Sequence, residues 1–412
     1  MNSLINDYQS GFRPQHSTTT ALLNLTDNWL SSFDEGKVVI AIMLDLKKAF
    51  DTVDFQLLLQ KLRNQYGVDE LTLRWFTSYL NGRTQATCVN GNMSDFLHVE
   101  CGIPQGSILG PLLFILHIND MPSVLQYCDI SMYADDTVLY CSGNECDIVE
   151  LVRKVNIDLE RVNIWLKQNK LSLNVKKTEY IVLGTKNRLR KLNETDINLE
   201  IDNTPLRRVT GCKHLGVMVD ENLTWEDHVN YLVKKSNSGI HMLKSIRSFV
   251  NKTTLESVYN ALVSSHLTYC NEVWGNCGKT LKNSLQKIQN RGARIINNSP
   301  WYSSATENRN KLNWKILDEK RTDNIAVMMY KILNNDAPTY LSSKFSYREN
   351  TYNLRQGELC VNLVRPKTEQ LKRSFMYRGS VIWNNLPHHV KASPSVHSFK
   401  RGLMRGEGDD NV

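Results

Sequence analysis

The chain has 412 residues, of which 41% are hydrophobic and 22% are charged. This profile is ordinary for a globular protein and excludes wholesale disorder, and the length predicts two or three domains. The formal net charge of +8 is compatible with a polyanionic partner. It does not establish one, because many unrelated enzymes are equally basic.

The cysteines and the N-terminal residues indicate in which cellular compartment the protein is expected. The nine cysteines are odd in number and include no Cys-x-x-Cys pair, so their spacing indicates neither a disulfide framework nor a zinc knuckle. Residues 1–8 lack the basic and apolar regions of a signal peptide, and no apolar run approaches the roughly 18 residues that span a bilayer. We therefore expect an intracellular protein of the nucleus or the cytoplasm, without a membrane partner.

The first half of the chain alternates between strand and helix patterns. Residues 38–44 are continuously apolar, which is typical of a strand buried on both faces, and Asp45 follows directly. Asn90-Gly91 supplies the positive φ angles of a tight turn, so residues 84–99 are expected to form a hairpin. The other elements predicted before residue 220 are helices at 17–36, 53–66, 69–80, 109–118 and 145–169 and strands at 130–133, 137–140, 178–183 and 214–219.

The second half is predicted to be helical. Apolar residues recur at helical spacing over 226–249, 253–265 and 281–297, and the pattern continues beyond them. The last residues, 406–412, are expected to fray. The order is therefore mixed to about residue 220 and then all-α, which predicts an α+β fold with a helical appendage.

Three carboxylates stand out because of where the predicted strands place them. Asp45 ends the buried strand, and Asp135 and Asp136 lie between two short strands. If these strands pair beside the first one, the three side chains meet at one edge of the sheet. Nucleotidyl transfer to a 3′-hydroxyl uses two divalent metals about 3.5–4 Å apart, and magnesium prefers oxygen ligands. The pattern therefore suits a site for two Mg²⁺ ions, with Mn²⁺ as a substitute.

The same residues have a simpler interpretation. Asp-Asp is a common turn dipeptide, because both residues tolerate turn geometry and bond their own backbone. Asp45, which is followed by Lys47 and Lys48, could mark a strand that leaves the core. The metal interpretation therefore depends on the sequence around the carboxylates.

Ordered segments supply that context. They are QSGFRP at 9–14, LDLKKAFD at 44–51, GIPQGS at 102–107, YADD at 133–136, LSLN at 171–174 leading to Lys177-Thr178, and KHLGV at 213–217. The helical half adds YCNEVWG at 269–275 and LQKIQNR at 285–291. Together these segments resemble the reverse transcriptase of non-LTR retrotransposons of the jockey and long-interspersed-element type, and the resemblance covers nearly the whole chain.

The resemblance implies an architecture and a reaction. The architecture is a right-hand polymerase, with partial fingers and palm over 1–220, a helical thumb or connection over 221–300, and a helical C-terminal region of unknown role over 301–412. The reaction is RNA-directed DNA synthesis at a DNA 3′ end, in the parent element at a nicked genomic target. The implied partners are an RNA template, a DNA primer and dNTPs.

The resemblance also implies roles in metal binding and catalysis. Asp45, Asp135 and Asp136 match the metal-binding carboxylates, and the first two of them are the bridging ligands. The main-chain carbonyl of Leu46 completes one metal shell. Lys177 matches the lysine that protonates the departing pyrophosphate, although any solvent-facing lysine has the same appearance in sequence.

Further positions match residues that contact the nucleotide or the primer. Phe50 matches the steric gate that crowds a ribose 2′-hydroxyl, and core packing is its alternative. Gln105 and Gly106 match the loop along the incoming nucleotide, and a plain turn capped by Ser107 is their alternative. Arg13 matches the residue that clasps the triphosphate, and its alternative is a surface charge. The primer-grip hairpin corresponds to His214, Leu215, Gly216 and Val217, whose alternative is an ordinary strand.

The chain departs from the family pattern at its ends. In this family further fingers strands and an endonuclease domain precede the Gly-Phe-Arg segment, whereas this sequence starts a few residues before Gly11. No Cys/His cluster closes the C-terminus. We therefore expect an N-terminally truncated copy or gene model whose fingers are incomplete.

Two other interpretations stay open. The missing N-terminal strands suggest a catalytically silent remnant that still binds RNA or DNA, although no motif aspartate is replaced. A polymerase of another kind, such as a group II intron or retron enzyme, would also carry the aspartates. The Trp225-Glu226-Asp227-His228 segment and the helical motifs count against that second interpretation.

Overall fold

The computed structural model describes residues 4–192, 197–348 and 359–405. Their contacts divide the chain into a first unit, Met1–Ala21 with Lys37–Thr210, and a second unit, Leu22–Gly36 with Gly211–Val412. Within the described ranges, no helix is both long enough and apolar enough to cross a membrane. The predicted fraying of residues 406–412 lies outside the described residues.

The first unit contains the mixed half of the chain. After the start of α1 (Thr18–Asp34), its elements are β1 (Val38–Leu44), α2 (Phe55–Asn64), α3 (Glu70–Leu80), β2 (Thr84–Gln85), β3 (Cys88–Val89), β4 (Asn92–Met93), β5 (Leu97–His98), α4 (Leu109–His117), β6 (Asp129–Tyr133), β7 (Asp136–Gly143), α5 (Ile148–Gln168), β8 (Glu179–Leu183), α6 (Lys186–Leu189), β9 (Glu200–Ile201), β10 (Thr204–Pro205) and β11 (Arg207–Val209). Short 3₁₀ turns lie at Ala49–Thr52, Met121–Val124 and Glu145–Asp147.

The centre of this unit is a five-stranded sheet in the order β11-β8-β1-β7-β6. β1 pairs with antiparallel strands on both sides, and its residues are buried almost throughout. A continuous apolar run is what a strand covered on both faces requires, so the prediction for residues 38–44 is confirmed. The register places Leu44 opposite Thr137 and Tyr133 opposite Asp136.

A buried carboxylate fixes the approach to β6. Asp158 on α5 is fully buried, and its oxygens accept hydrogen bonds from the main-chain N–H groups of Gln126, Tyr127 and Cys128 at 2.7–2.9 Å. These N–H groups are partly buried, so water could replace the carboxylate as their partner only in part. The helix therefore sets where the strand begins.

The segment between α3 and α4 folds as two small hairpins. β3 pairs with β4 across Asn90 and Gly91, whose φ angles are 51° and 84°, and β2 pairs with β5. These angles are those of the tight turn that the Asn-Gly pair predicts, so the expected hairpin is confirmed.

The second unit is mainly helical. Its elements are β12 (Gly211–His214), β13 (Val217–Asp220), α7 (Glu226–Ile246), α8 (Lys252–Tyr259), α9 (Ser265–Thr268), α10 (Asn271–Trp274), α11 (Lys279–Ile296), α12 (Ala305–Asn310), α13 (Leu317–Leu333), α14 (Thr339–Ser342), α15 (Phe375–Asn385), α16 (His388–Lys391) and α17 (Val396–Arg405), with a 3₁₀ turn at Leu371–Arg373. Most of α1 belongs to this unit as well. Among the described residues after 225 the elements are helical, as predicted, apart from an isolated bridge between Tyr347 and Val361.

Long-range contacts hold α1 in the second unit. The buried carboxylate of Asp27 accepts hydrogen bonds from the N–H groups of Phe375 and Met376 at 2.7 and 3.0 Å, at the start of α15. Burial raises the pKa of Asp27, and Lys344 and Arg378 oppose this rise. Asp34, at the other end of α1, accepts from the N–H group of Thr368 at 2.6 Å.

Two predictions differ from the structure. The single strand expected over 214–219 is a turn flanked by β12 and β13, because Leu215 and Gly216 adopt φ angles of 44° and 83°. The helix expected over 253–265 contains a π-helical turn at Asn260–Ser264. That turn lies against Gly239 of α7, where a side chain would come within 2.7 Å of the Leu262 carbonyl oxygen.

Replacing Asp158 with alanine should destabilise the first unit. The change removes the charged acceptor of three partly buried N–H donors, which water can satisfy only in part, so we expect a loss of about 1–3 kcal/mol in the free energy of unfolding. Urea denaturation measures it. The matched control is Glu160→Ala, an exposed acidic residue on the same helix, which should change stability by less than about 0.5 kcal/mol. Equal losses in the two variants would contradict the capping role.

Candidate active site

The pairing of β1 with β7 brings the predicted carboxylates to one edge of the sheet, namely the edge where β1 ends and β7 begins. Asp45 follows Leu44, whose partner on β7 is Thr137, and Asp136 immediately precedes Thr137. Asp135 lies in the turn that joins β6 to β7. Asp45 is half-buried, and the other two aspartates are exposed. The predicted pairing of the hairpin beside the first strand is therefore confirmed.

The main chain of Asp45 is fixed from the opposite side. Its carbonyl oxygen accepts a hydrogen bond from the N–H group of Asn174 at 2.7 Å, and its own N–H group donates to the Thr178 hydroxyl at 3.3 Å. One residue further on, Leu46 forms an isolated bridge with Leu173. The segment before β8 thus holds the strand end that presents the carboxylate.

The turn that carries Asp135 has an uncommon backbone. Ala134 adopts φ 55°, a left-handed conformation that costs a residue with a side chain about 1 kcal/mol or more. The side-chain oxygen of Gln9 accepts a hydrogen bond from the Ala134 N–H group at 2.9 Å. Sequence reasoning assigned no role to Gln9, although it opens the first of the recognised segments.

The three carboxylates influence one another electrostatically. Burial is the largest cause that raises the pKa of Asp136, and the charges of Asp135 and Asp45 raise it further. Like charges at one edge favour a bound cation, and oxygen donors suit Mg²⁺. Within the described parts of the chain, no group of three or more His, Cys, Asp or Glu side chains is arranged to hold a metal ion. The three carboxylates therefore fit a divalent metal ion by their charge and by their oxygen donors.

The loop 102–107 lies beside the 3₁₀ turn that follows Asp45. Gly102 has φ 89°, and a side chain there would come within 2.6 Å of the Asp51 carbonyl oxygen, so only glycine fits. The Gln105 amide donates to the Asp51 carboxylate at 2.7 Å. Gly106 has φ 76° and open space around it. The Ser107 hydroxyl accepts from the Gly110 N–H group at 3.0 Å, so this loop also caps α4.

A cavity of about 680 Å³ opens in front of this loop. Gln105 is among its lining residues, together with one basic side chain from just before the first 3₁₀ turn and two from the hairpin segment. The catalytic candidates Asp45, Asp135 and Asp136 are not. The basic lining residues are Lys48, Arg83 and His98.

Three further predicted residues have defined surroundings. The half-buried ring of Phe50 stacks on Phe114, with centroids 4.2 Å apart, which is the core contact that its alternative interpretation anticipates. The Nη1 group of Arg13 donates to the carbonyl oxygens of Asn6 and Gln9 at 2.8 and 2.9 Å. Lys177 is exposed, next to the Thr178 that holds Asp45. None of these contacts tests the predicted roles of Phe50, Arg13 and Lys177.

The predicted primer-grip residues belong to the second unit. His214 ends β12 and Val217 begins β13, and both side chains are buried. Burial lowers the pKa of His214 to about 4, so this side chain is neutral at physiological pH. The carbonyl oxygen of Leu215 accepts from the Tyr269 hydroxyl at 2.9 Å, and the Tyr269 ring lies against Gly216. The residues form a hairpin, as predicted, and their role stays a prediction.

Three aspartates at one edge of a mixed sheet, beside a glycine-containing loop, fit the class of metal-dependent nucleotide polymerases. The family described as reverse transcriptase (RNA-dependent DNA polymerase) matches residues 1–232, and the chain belongs to this family.

Relatives define the branch of the family. The probable RNA-directed DNA polymerase from transposon BS of Drosophila melanogaster is 28% identical over 332 residues, which are 77% of this chain and 35% of that protein. The RNA-directed DNA polymerase from mobile element jockey of Drosophila funebris is 28% identical over 305 residues, 72% of this chain and 32% of that protein. The chain therefore spans about a third of the length of these relatives. The predicted resemblance to non-LTR retrotransposon reverse transcriptases is confirmed.

Solved structures give a weaker likeness. The apo telomerase from Candida tropicalis aligns with a TM-score of 0.40 and 12% identity, over 70% of this chain and 46% of that chain. A TM-score of this size supports no comparison of the two folds in detail.

Removing the Asp136 charge should stabilise the metal-free protein at neutral pH. A carboxyl whose pKa is higher in the folded than in the unfolded chain loses stability as the pH rises above the unfolded value of about 3.9. Because Asp136 is exposed in part, screening keeps the gain for Asp136→Asn below about 1 kcal/mol, or a rise in Tm of about 2–4 °C. The gain should vanish below about pH 4.

Thermal unfolding in EDTA at pH 7 and at pH 4 measures this difference. The matched control is Asp95→Asn, an exposed aspartate of the hairpin segment, which should leave Tm unchanged at both pH values. A gain of equal size at pH 7 and pH 4 would show that the charge of Asp136 is not its source.

Proposed function

We propose that this chain catalyses RNA-directed DNA synthesis, by transfer of a nucleotide from a dNTP to a DNA 3′-hydroxyl. The proposal rests on one observation above the others, that the ends of β1 and β6 bring Asp45, Asp135 and Asp136 together in a chain of the reverse transcriptase family. The proposed partners are an RNA template, a DNA primer and dNTPs.

We propose that Asp45, Asp135 and Asp136 would hold two Mg²⁺ ions, with Asp45 and Asp135 as the principal ligands. The bound ions would lower the pKa of the attacking hydroxyl and stabilise the leaving pyrophosphate. The rigid surroundings of Asp45 favour this role, since both polar groups of its main chain are hydrogen-bonded. The adjacent carbonyl of Leu46 would complete one metal shell.

The nucleotide would lie in the cavity in front of the 3₁₀ turn and the loop 102–107, which are in direct contact with each other. Gln105 is exposed at the mouth of the cavity, and Gly106 leaves room for a backbone or a base to approach closely. Phe50 would crowd a 2′-hydroxyl with the part of its ring that Phe114 does not cover. Arg13 would contact the triphosphate, and Lys177 would protonate the leaving group.

The finer architecture belongs to the same proposal. Residues 1–220 would form the palm with partial fingers, 221–300 a helical thumb or connection, and 301–412 a helical region whose role the reaction does not define. His214–Val217 would grip the primer strand, for which the buried, ordered hairpin of β12 and β13 is a suitable frame.

Primer extension on poly(rA)/oligo(dT) with Mg²⁺ tests the proposed reaction. Asp135→Ala should lower incorporation about 10³-fold, because metal binding supplies several kcal/mol of transition-state stabilisation. The matched control is Asp129→Ala, which removes an aspartate from the far end of the same strand pair and should retain incorporation within about threefold. Equal incorporation by wild type and Asp135→Ala would reject the metal assignment. Absence of incorporation by the wild type would reject the activity itself.

Phe50→Ala should weaken discrimination against ribonucleotides. Removing one steric contact changes selectivity by about 10–100-fold, and the measure is the ratio of kcat/KM for dTTP to that for UTP. Phe114→Leu is the matched control, because it disturbs the same ring stack without opening the proposed gate. If both variants changed selectivity equally, packing rather than a gate would explain Phe50.

A further inference from the structure

The N-terminal segment forms a short extra strand beside the catalytic turn. Gln9 bridges Met132 of β6 in parallel, the Ser10 N–H group donates to the Met132 carbonyl at 2.8 Å, and the Met132 N–H group donates to the Tyr8 carbonyl at 2.9 Å. Residues at the end of β6 are therefore paired on the side that β7 does not occupy. This pairing brings a side chain from the N-terminal segment to the turn itself.

The side chain of Gln9 binds the turn directly. It is fully buried, and its oxygen accepts two hydrogen bonds, from the N–H groups of Gly11 at 2.7 Å and of Ala134 at 2.9 Å. The orientation of the amide is unambiguous, because only its oxygen can face two N–H donors. The amide nitrogen is buried and finds no partner among the described atoms.

Steric contact reinforces the hydrogen bonds. A side chain at Gly11 would come within 2.4 Å of the Ala134 nitrogen and within 3.0 Å of the Tyr133 carbonyl carbon. Ala134 itself has the left-handed φ of 55° that residues with side chains rarely adopt. The side chain of Gln9 accepts a hydrogen bond from the N–H group of Ala134, the residue of the turn with this unfavourable conformation.

We propose that Gln9 is a positioning residue, which fixes the backbone of the Tyr133-Ala134-Asp135-Asp136 turn and thereby the metal-binding geometry of Asp135. This rests on the proposed function, because it assigns Asp135 to the metal site. Gln9 touches neither metal nor nucleotide in this scheme and acts through the Ala134 N–H group. Groups that orient metal ligands typically change metal affinity about 10–100-fold when they are replaced.

Gln9→Met tests the proposal, because methionine has a similar length and no hydrogen-bond acceptor of comparable strength. Hydrogen–deuterium exchange of the Ala134 amide should accelerate about tenfold or more. The affinity for Mn²⁺, measured by electron paramagnetic resonance, should fall about tenfold. The kcat for primer extension should fall about 10–100-fold, while the KM for dNTP stays within about twofold.

Three further variants make the test specific. Gln9→Glu keeps an oxygen at the same chain length and should retain the protection of the Ala134 amide. Gly11→Ala should accelerate its exchange by a different route, through the steric contact with the turn. The matched control is Gln289→Met, which replaces a buried, hydrogen-bonded glutamine of the helical unit and should leave amide exchange at Ala134, Mn²⁺ affinity and kcat unchanged.

The readouts separate the two proposals. Unchanged amide exchange in Gln9→Met would overturn the positioning role whatever the activity. Faster exchange with unaltered Mn²⁺ affinity would overturn it as well, because the turn would then not govern the metal site. If the wild type extended no primer but Gln9→Met still accelerated exchange and weakened Mn²⁺ binding, the positioning role would stand and the proposed polymerase activity would fail.

Discussion

The register between β1 and β7 is the constraint on which the candidate site depends. Leu44 lies opposite Thr137, so the residues just beyond this pair, Asp45 and Asp136, end up side by side although they are 91 positions apart in the sequence. Both faces of β1 are buried, so a slip of one residue would exchange side chains of different size, such as Ala41 and Ile42, at every packing position. The packing of the core therefore fixes the register, and the register brings the carboxylates together. A core property thus specifies a surface arrangement.

This arrangement works against folding and is compensated locally. Three carboxylates at one edge repel one another, and together with burial this raises the pKa of Asp136. Hydrogen bonds to the main chain hold the residues in place despite this repulsion. Asn174 and Thr178 bind the main chain of Asp45, and Gln9 binds the main chain of Ala134. Groups held in place before substrate arrives need no reorganisation during the reaction, which is how charged sites gain their catalytic effect.

Local chemistry explains which parts of the fold the sequence predicts. The apolar run of β1 and the Asn90-Gly91 turn act over a few residues, and both were predicted with nearly their observed bounds. At residues 214–219 the apolar pattern alone predicts one strand, because the first turn residue with a positive φ is Leu215, which is not a turn-forming residue type; only the family resemblance indicates a hairpin there. The place of α1 in the second unit is not predictable from the sequence for a different reason. Asp27 and Asp34 bind residues more than 300 positions away, and no local pattern contains that information.

The same distinction applies to the site. Asp45, Asp135 and Asp136 were predictable because a strand end and a hairpin tip are local features, and the family motifs gave them a chemical meaning. Gln9 lies in one of the segments that resemble the family. A single glutamine, however, gives no sequence pattern that would predict its hydrogen bond to a residue far along the chain. The family match identifies the family of the chain but does not show which residue of each segment has which role. The roles of individual residues are therefore inferred from their contacts in the structure.

The contact between Gln9 and Ala134 also explains why the sequence Tyr133-Ala134-Asp135-Asp136 alone does not determine the conformation of its turn. Ala134 lies 125 residues from the glutamine that satisfies its N–H group, and its φ is unfavourable for the turn taken alone. An isolated hairpin of the same sequence would lack this support and would relax toward an ordinary Asp-Asp turn. The geometry of the turn is thus a property of the first unit as a whole, in which the N-terminal segment, β6 and β7 form neighbouring strands. Two aspartates become a candidate metal site because the sheet around them restricts their backbone to one conformation.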